Sequence, residues 1–357
     1  MRARAEELLR ELVLLKSAEE DDTAPVVKRV TDILSGFGLE PKLYGSKEKP
    51  AIFARSGKGG VVLSGHLDTV PIGKGWTKEQ GEVADGRLYG RGAADMKAGC
   101  AAILLAAERL APEGVPFSVC LSLDEEISMH GAQAVAGAHE LRDAAAVVVA
   151  EPSNFDIIVR EKGLIQFAVR TKGKSAHASM PHLGENAIAR MLKMLRGLED
   201  LQKIPDDPLE ELTLCIDTIR GGTQVNVIPN GCQVEVDSRF PPSMTGEEVV
   251  AMVRERLGKS EYELEVLHLL EPVETDPSIE AVTRLHEIVG GSAEVLSVPY
   301  ATEMVMFKHD NQRLMVCGPG EPTQAHVVDE SVEIDQVARA VDVYVEYCKR
   351  MVEPGKD

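Results

Sequence analysis

Five short segments of this 357-residue chain gather the residue types that bind metals and move protons. The first, Ser64-Gly65-His66-Leu67-Asp68-Thr69-Val70-Pro71, follows a strand-like stretch at 60–64. Residues two apart on an extended segment point the same way, so Asp68 can hold the His66 imidazole and raise its basicity toward a metal. Taken alone, the pair is equally a structural His–Asp hydrogen bond. The second, Gly90-Arg91-Gly92-Ala93-Ala94-Asp95-Met96-Lys97-Ala98-Gly99, has glycines for a tight turn and small residues that let the next helix pack closely. Asp95 sits near that helix's start, where a lone aspartate is an ordinary N-cap. The third, Asp124-Glu125-Glu126, brings three carboxylates to the end of an apolar run. A divalent cation removes their mutual repulsion, and one can then ligate while its neighbour takes a proton from water. A Glu-Glu pair by itself is a solvated acidic turn. Glu151-Pro152-Ser153 and Gln324-Ala325-His326 each add one donor at a strand end. Singly these are a helix-entry acid and a surface histidine. Together the five segments supply the mixed nitrogen and oxygen set that suits paired zinc or cobalt ions.

The elements that must position these residues follow from hydrophobic period. Leu8, Leu9, Leu12, Val13 and Leu15 recur at helical spacing, and 26–34 repeats the pattern after Pro25. Apolar strands at 60–64, 117–123 and 144–150 then alternate with a small-residue helix at 98–110. That order predicts a mostly parallel mixed α/β sheet sandwiched by helices. From 164 the texture changes to a strand at 165–171, a helix at 186–201, strands at 213–219 and 233–237, a helix at 246–257 and a strand at 262–269. This βαββαβ order is that of a ferredoxin-like unit, and the Pro-flanked 272–277 segment is a return linker. The expected division is a larger domain of 1–163 with 274–357 and an inserted lid domain of 164–273. The final part carries a helix, short strands around Val295 and Leu314, and a closing helix at 335–351.

Composition narrows the partners. Lys and Arg total 39 against 58 Asp and Glu, a formal charge of −19, and no basic cluster offsets it. Such a field repels nucleic acid and can draw in cationic small molecules. The six cysteines are far apart and form no CxxC pair, so neither a disulfide framework nor a zinc knuckle is expected. The first residues lack the apolar core of a signal peptide, and no apolar run approaches a membrane-spanning length. A cytoplasmic protein without a membrane partner is the expectation.

The ordered segments GHxDTVP, GRGxxDMKxG, DEE, EPS, GKSAHASMPHxGxNAI, NVIP and QAH, spread over nearly the whole chain, resemble the acetylornithine deacetylase, succinyl-diaminopimelate desuccinylase and glutamate carboxypeptidase family of two-metal peptidases. The resemblance implies that His66, Asp95 and Glu151 hold one metal and Asp95, Glu126 and His326 the other, with Asp95 as the bridge. It implies that Glu125 is the general base that activates water, and that Asp68 supports His66. It assigns the inserted domain to dimerisation, with His177 reaching the partner subunit's site to stabilise the oxyanion. Asn226 and Arg239 match positions that bind the substrate's carboxylate end. The chain departs from the family pattern at Ser128, where DEExG has glycine, and at Ser153, where EPT has threonine. Loss of that glycine bears on the turn that aims Glu125.

Within the family, Ala301-Thr302-Glu303 with Gly318-Pro319-Gly320 is similar to acetylornithine deacetylases. This implies hydrolysis of N-acetylornithine to ornithine and acetate, a step of arginine biosynthesis, by a homodimer with two zinc or cobalt ions per chain. Glu303 is then expected to select the cationic side chain; the alternative is a loop acid without substrate contact. The competing activities are deacylation of N-acetylcitrulline, N-acetyllysine or succinyl-diaminopimelate, and dipeptide or carboxypeptide cleavage. An inactive metal-binding homologue is the competitor of another class.

Overall fold

The computed structural model describes residues 1–352 apart from 204, 205, 208 and 292, so 353–357 of the expected larger domain lie outside the described residues. The chain divides into two compact units. The larger comprises Met1–Val159, Thr275–Leu296 and the chain from Thr302 onward; the smaller comprises Arg160–Glu274 with Ser297–Ala301.

The sheet of the larger unit runs Lys42–Gly45, Pro50–Ser56, Phe117–Ser122, Val61–His66, Ala146–Val149, Leu314–Val316 and then the first half of Ile157–Glu161. Its four consecutive strands from Phe117–Ser122 to Leu314–Val316 are parallel, and the flanking pairings are antiparallel. The antiparallel hairpin Lys42–Gly45 with Pro50–Ser56 goes beyond the strands expected from the sequence; Lys42–Gly45 is short and largely exposed, whereas the first five residues of Pro50–Ser56 are apolar and buried. Both faces of the inner strands are buried, as a helix-covered parallel sheet requires. Side chains alternate between those faces. Val61 and Leu63 join the core cluster with the helices Arg2–Leu14, Ala24–Gly36, Lys97–Leu110 and Ile334–Val352. The helix His130–Gly137 packs instead on the hairpin and against the short helix Met304–Phe307.

Lys97–Leu110 is the close-packed helix that its small residues predict. A Cβ on Gly99 would lie 2.2 Å from the Ala150 carbonyl oxygen, so only glycine allows the helix to approach the strand carrying the 151 turn. Among the described residues no helix is long and apolar enough to cross a membrane.

The smaller unit has four antiparallel strands in the order Thr213–Gly221, Gly231–Phe240, Gly163–Lys172, Glu263–Leu270. Helices Ala187–Leu195 and Gly246–Leu257 bury their apolar stripes against it. Asn186 caps the first by accepting from Ala189 N, and Thr245 with Glu248 forms a capping box on the second. The single helix expected over 186–201 tightens after Leu195 into a 3₁₀ stretch, Arg196–Gln202. Within it, Gly197 leaves room for the Arg256 carbonyl oxygen, 2.0 Å from where a Cβ would stand.

Candidate metal centre

Parallel strands end on the same edge of a sheet, and in such sheets that edge is where ligands collect. His66 is the last residue of its strand, Glu125 and Glu126 follow Phe117–Ser122 by three and four positions, and Glu151 follows Ala146–Val149 by two. Asp95 comes from the turn before Lys97–Leu110, and His326 from the loop before Ser331–Glu333, at φ +61°.

These residues form two overlapping donor sets. His66, Asp95 and Glu151 offer atoms all within 4.8 Å of one another, as do Asp95, Glu126 and His326. His66 Nε2 lies 3.3 Å from Asp95 Oδ1 and 3.4 Å from Glu151 Oε1. His326 Nε2 lies 3.3 Å from Asp95 Oδ2 and 3.0 Å from Glu126 Oε1. Asp95 thus turns one carboxylate oxygen toward each histidine. The residues fit a bridged pair of divalent ions: each set mixes one imidazole with two carboxylates. Glu125 belongs to neither set.

The charges describe a site built for more positive charge than the protein supplies. Burial pushes Glu151 up to about 8, with Asp95 adding to the rise and His66 opposing it. Burial likewise drives Glu125 well above the ordinary glutamate range, against the attraction of His66 and with the help of Glu151, Glu126 and Asp68. Asp95 moves the other way. Its burial is outweighed by hydrogen bonds from His326 and His66, which hold it below the usual aspartate range. Hydrogen bonds to Asp95 and Glu126 lift His326 to about 10. In the protein's own charge set the histidines act as the cations that divalent ions would replace.

Asp68 does more than support His66. His66 Nδ1 lies 3.0 Å from the Asp68 carbonyl oxygen and 3.5 Å from its Oδ1. The carboxylate accepts from Glu125 N at 3.3 Å and Glu126 N at 3.2 Å, so it ties the His66 strand end to the turn carrying both glutamates. That turn is closed by Asp124, a residue sequence reasoning left without a role. Asp124 is buried and accepts from Ser128 Oγ at 2.7 Å, His130 N at 2.8 Å and Gly131 N at 3.0 Å. Ser128, standing where the family pattern has glycine, therefore adds a hydrogen bond to the turn, and Met129 takes the positive φ of 53°.

Three further candidates belong to the smaller unit. His177 and Asn226 are exposed neighbours in the smaller unit: His177 forms a bridge with Val227, and Ala178 N donates to the Asn226 carbonyl at 3.0 Å. His177 Nδ1 is 2.8 Å from Ser179 Oγ. Arg239 pairs with Asp237 at 2.9 Å. It sits opposite Thr213, whereas the loop bearing Asn226 starts beyond Gly221, at the other end of the same ladder. Seven residue steps of strand separate Cys232 from Arg239, about 23 Å at the rise of a β-strand, so Asn226 and Arg239 do not converge within this unit.

Glu303 is an interior residue. Its side chain is fully enclosed, with Oε2 accepting from Ser64 Oγ at 3.3 Å, and burial pushes it up to about 7. The motif difference that drew attention to it marks an interior position of the Val61–His66 strand's surroundings.

Residues 62–350 match the family model described as Peptidase family M20/M25/M40. A probable succinyl-diaminopimelate desuccinylase of Staphylococcus epidermidis is 27% identical, with 97% of each chain covered. An acetylornithine deacetylase of Aliivibrio salmonicida is 30% identical over 92% of this chain and 91% of its own. Among solved structures, a Bacillus subtilis dinuclear metal-binding peptidase of the M20 family superposes with a TM-score of 0.73 at 16% identity, covering 97% of both chains.

Proposed function

The chain belongs to peptidase family M20/M25/M40 and is a metal-dependent amide hydrolase, and on that premise we propose that it removes the acyl group of an N-acyl amino acid, N-acetylornithine foremost. The observation that carries this reading is the sharing of Asp95 between two donor sets while Glu125 stands outside both. Bound divalent cations would polarise the scissile carbonyl and acidify water there. His66, Asp95 and Glu151 would hold one, and Asp95, Glu126 and His326 the other.

Glu125 takes a proton from the water that attacks the amide carbonyl and returns it to the departing amine, so amide and water leave as carboxylate and amine. Burial raises its proton affinity, and bound cations would lower it again. Asp68 fixes the direction of Glu125 through the two backbone N–H groups. In this proposal the smaller unit is the lid and dimerisation domain, His177 serves the oxyanion in the partner subunit's site, and Asn226 contacts the substrate. Arg239 binds the substrate carboxylate.

The choice of N-acetylornithine rests on the deacetylase-like Thr302 and Gly318-Pro319-Gly320 segments, the 30% identical deacetylase and the strongly acidic charge. On this reading the enzyme serves arginine biosynthesis in the cytoplasm, where its cysteines, all free, stay reduced. Desuccinylation is the second reading, favoured by the 27% identical relative. The test is a panel of N-acetylornithine, N-succinyl-diaminopimelate, N-acetylmethionine and a dipeptide, assayed with cobalt-loaded, zinc-loaded and chelated protein. Metal-dependent turnover highest on N-acetylornithine is expected. Preference for the succinyl substrate would move the assignment to the second reading, and no metal-dependent hydrolysis of any of the four would sink both.

A further inference from the structure

The turn that presents Asp95 has almost no regular structure of its own. Residues 90–96 precede the helix Lys97–Leu110, and their backbone N–H groups need acceptors. One residue supplies most of them. Glu330 Oε1 accepts from Ala94 N at 2.8 Å and Asp95 N at 3.0 Å. Its Oε2 accepts from Gly92 N at 3.1 Å and from Arg91 Nη1 at 2.6 Å, and its backbone carbonyl accepts from Gly90 N at 2.9 Å. The Glu330 side chain is fully buried.

Glu330 is itself held on both sides. After it, Ser331–Glu333 pairs antiparallel with Arg87–Tyr89. Before it, Asp329 accepts from Thr77 N at 2.8 Å and Thr77 Oγ1 at 2.6 Å. His326 lies four residues upstream in the same loop. One carboxylate therefore joins the loop carrying His326 to the turn carrying Asp95, whose two oxygens face the two histidines.

We infer that Glu330 is a positioning residue for the metal centre, setting the orientation of Asp95 and its spacing from His326 through four charge-assisted hydrogen bonds. The inference rests on the two-metal reading proposed above. Its chemistry is specific to a carboxylate, because both oxygens must accept at once. Glutamine has the same shape, yet one of its two positions becomes an NH2 group that faces either two backbone N–H groups or a backbone N–H and a guanidinium. Outer partners of metal ligands are worth about 10- to 100-fold in affinity when removed.

The experiment measures cobalt and zinc affinity by chelator competition, with ion stoichiometry by elemental analysis, for wild type, Glu330→Gln and Glu330→Asp. Tyr347→Phe serves as a control; it deletes a buried hydrogen bond to Ala281 O, far from the ligands in sequence, and lowers stability without touching the turn. Glu330→Gln is expected to weaken binding roughly 10- to 100-fold, with Glu330→Asp, which keeps the charge on a shorter arm, between it and wild type. The control is expected to bind as wild type does at a lower Tm. Wild-type affinity in Glu330→Gln would overturn the inference, as would equal weakening in the Tyr347→Phe control. If Glu330→Gln does not fold, the Asp variant decides alone, and wild-type affinity there overturns the inference. A wild-type protein that binds one ion would instead refute the two-metal reading, and Glu330 would then be judged by the same affinity ratio at that ion.

Discussion

Replacing Glu125 and Glu126 one at a time by glutamine separates proton transfer from metal binding, because the structure gives the two neighbours different company. Glu126 Oε1 lies 3.0 Å from Nε2 of His326, inside a donor set, whereas Glu125 is in neither set. Glutamine keeps the size of each side chain, and the Asp68 carboxylate contacts only the backbone N–H groups at these positions, so the turn persists in both variants. Losing a general base lowers kcat by roughly 100- to 10,000-fold, equivalent to about 3–6 kcal/mol of barrier at 1.4 kcal/mol for each tenfold. Glu125→Gln should show that loss while retaining two ions of wild-type affinity. Glu126→Gln should instead weaken one ion, and its rate should recover in part at high metal concentration. The assay pairs elemental analysis after gel filtration with kcat measured across a metal titration. Two retained ions and a collapsed rate in Glu126→Gln, with a lost ion in Glu125→Gln, would reverse the assignment; a near-normal rate in Glu125→Gln would remove the base altogether.

The metal-free protein should lose stability as pH rises. Glu151 is raised from 4.5 to about 8 and His326 from 6.5 to about 10, so each contribution is complete below the unfolded value and fades as pH climbs through the folded one. Metal binding takes up the deprotonated ligands, so the Tm difference between loaded and chelated protein should widen from pH 5 to about 8; a constant difference would refute the proton linkage. Gly99→Ala should lower the urea midpoint of loaded and chelated protein alike, because its methyl group would sit 2.2 Å from Ala150 O and overpacking costs about 1–3 kcal/mol. An unchanged midpoint would mean the helix can retreat freely. Mixed dimers of Glu125→Ala and His177→Ala chains should regain about a quarter of wild-type activity, since random exchange makes half the dimers mixed and each of those has one intact site. No recovery despite demonstrated exchange would place His177 within its own chain's chemistry or outside catalysis.

What the sequence discloses here follows from how each residue acts. His66, Glu125, Glu126 and Glu151 are legible because buried apolar runs announce their strands, and parallel strands deliver whatever follows them to a single edge. Asp95 and His326 are legible only in that company, since nothing local distinguishes an N-cap aspartate or a loop histidine from a ligand. Asp124 and Glu330 escape notice for a different reason. Glu330 takes backbone N–H groups and a guanidinium from a turn far away along the chain, and Asp124 takes the Ser128 hydroxyl and two backbone N–H groups of its own turn; backbone amides leave no mark on residue type. Glu303 shows the converse limit, because a motif difference says that surroundings changed without saying whether the side chain faces substrate or interior. Asn226 and Arg239 share a motif-based role, yet a strand's length of ladder lies between them within the smaller unit, a separation that sequence spacing does not disclose. The candidate donors are therefore the part of the centre that residue chemistry reveals, and the carboxylates that hold their turns are the part that only backbone geometry reveals. A centre rebuilt from motifs alone would carry the right donors on turns free to point them elsewhere.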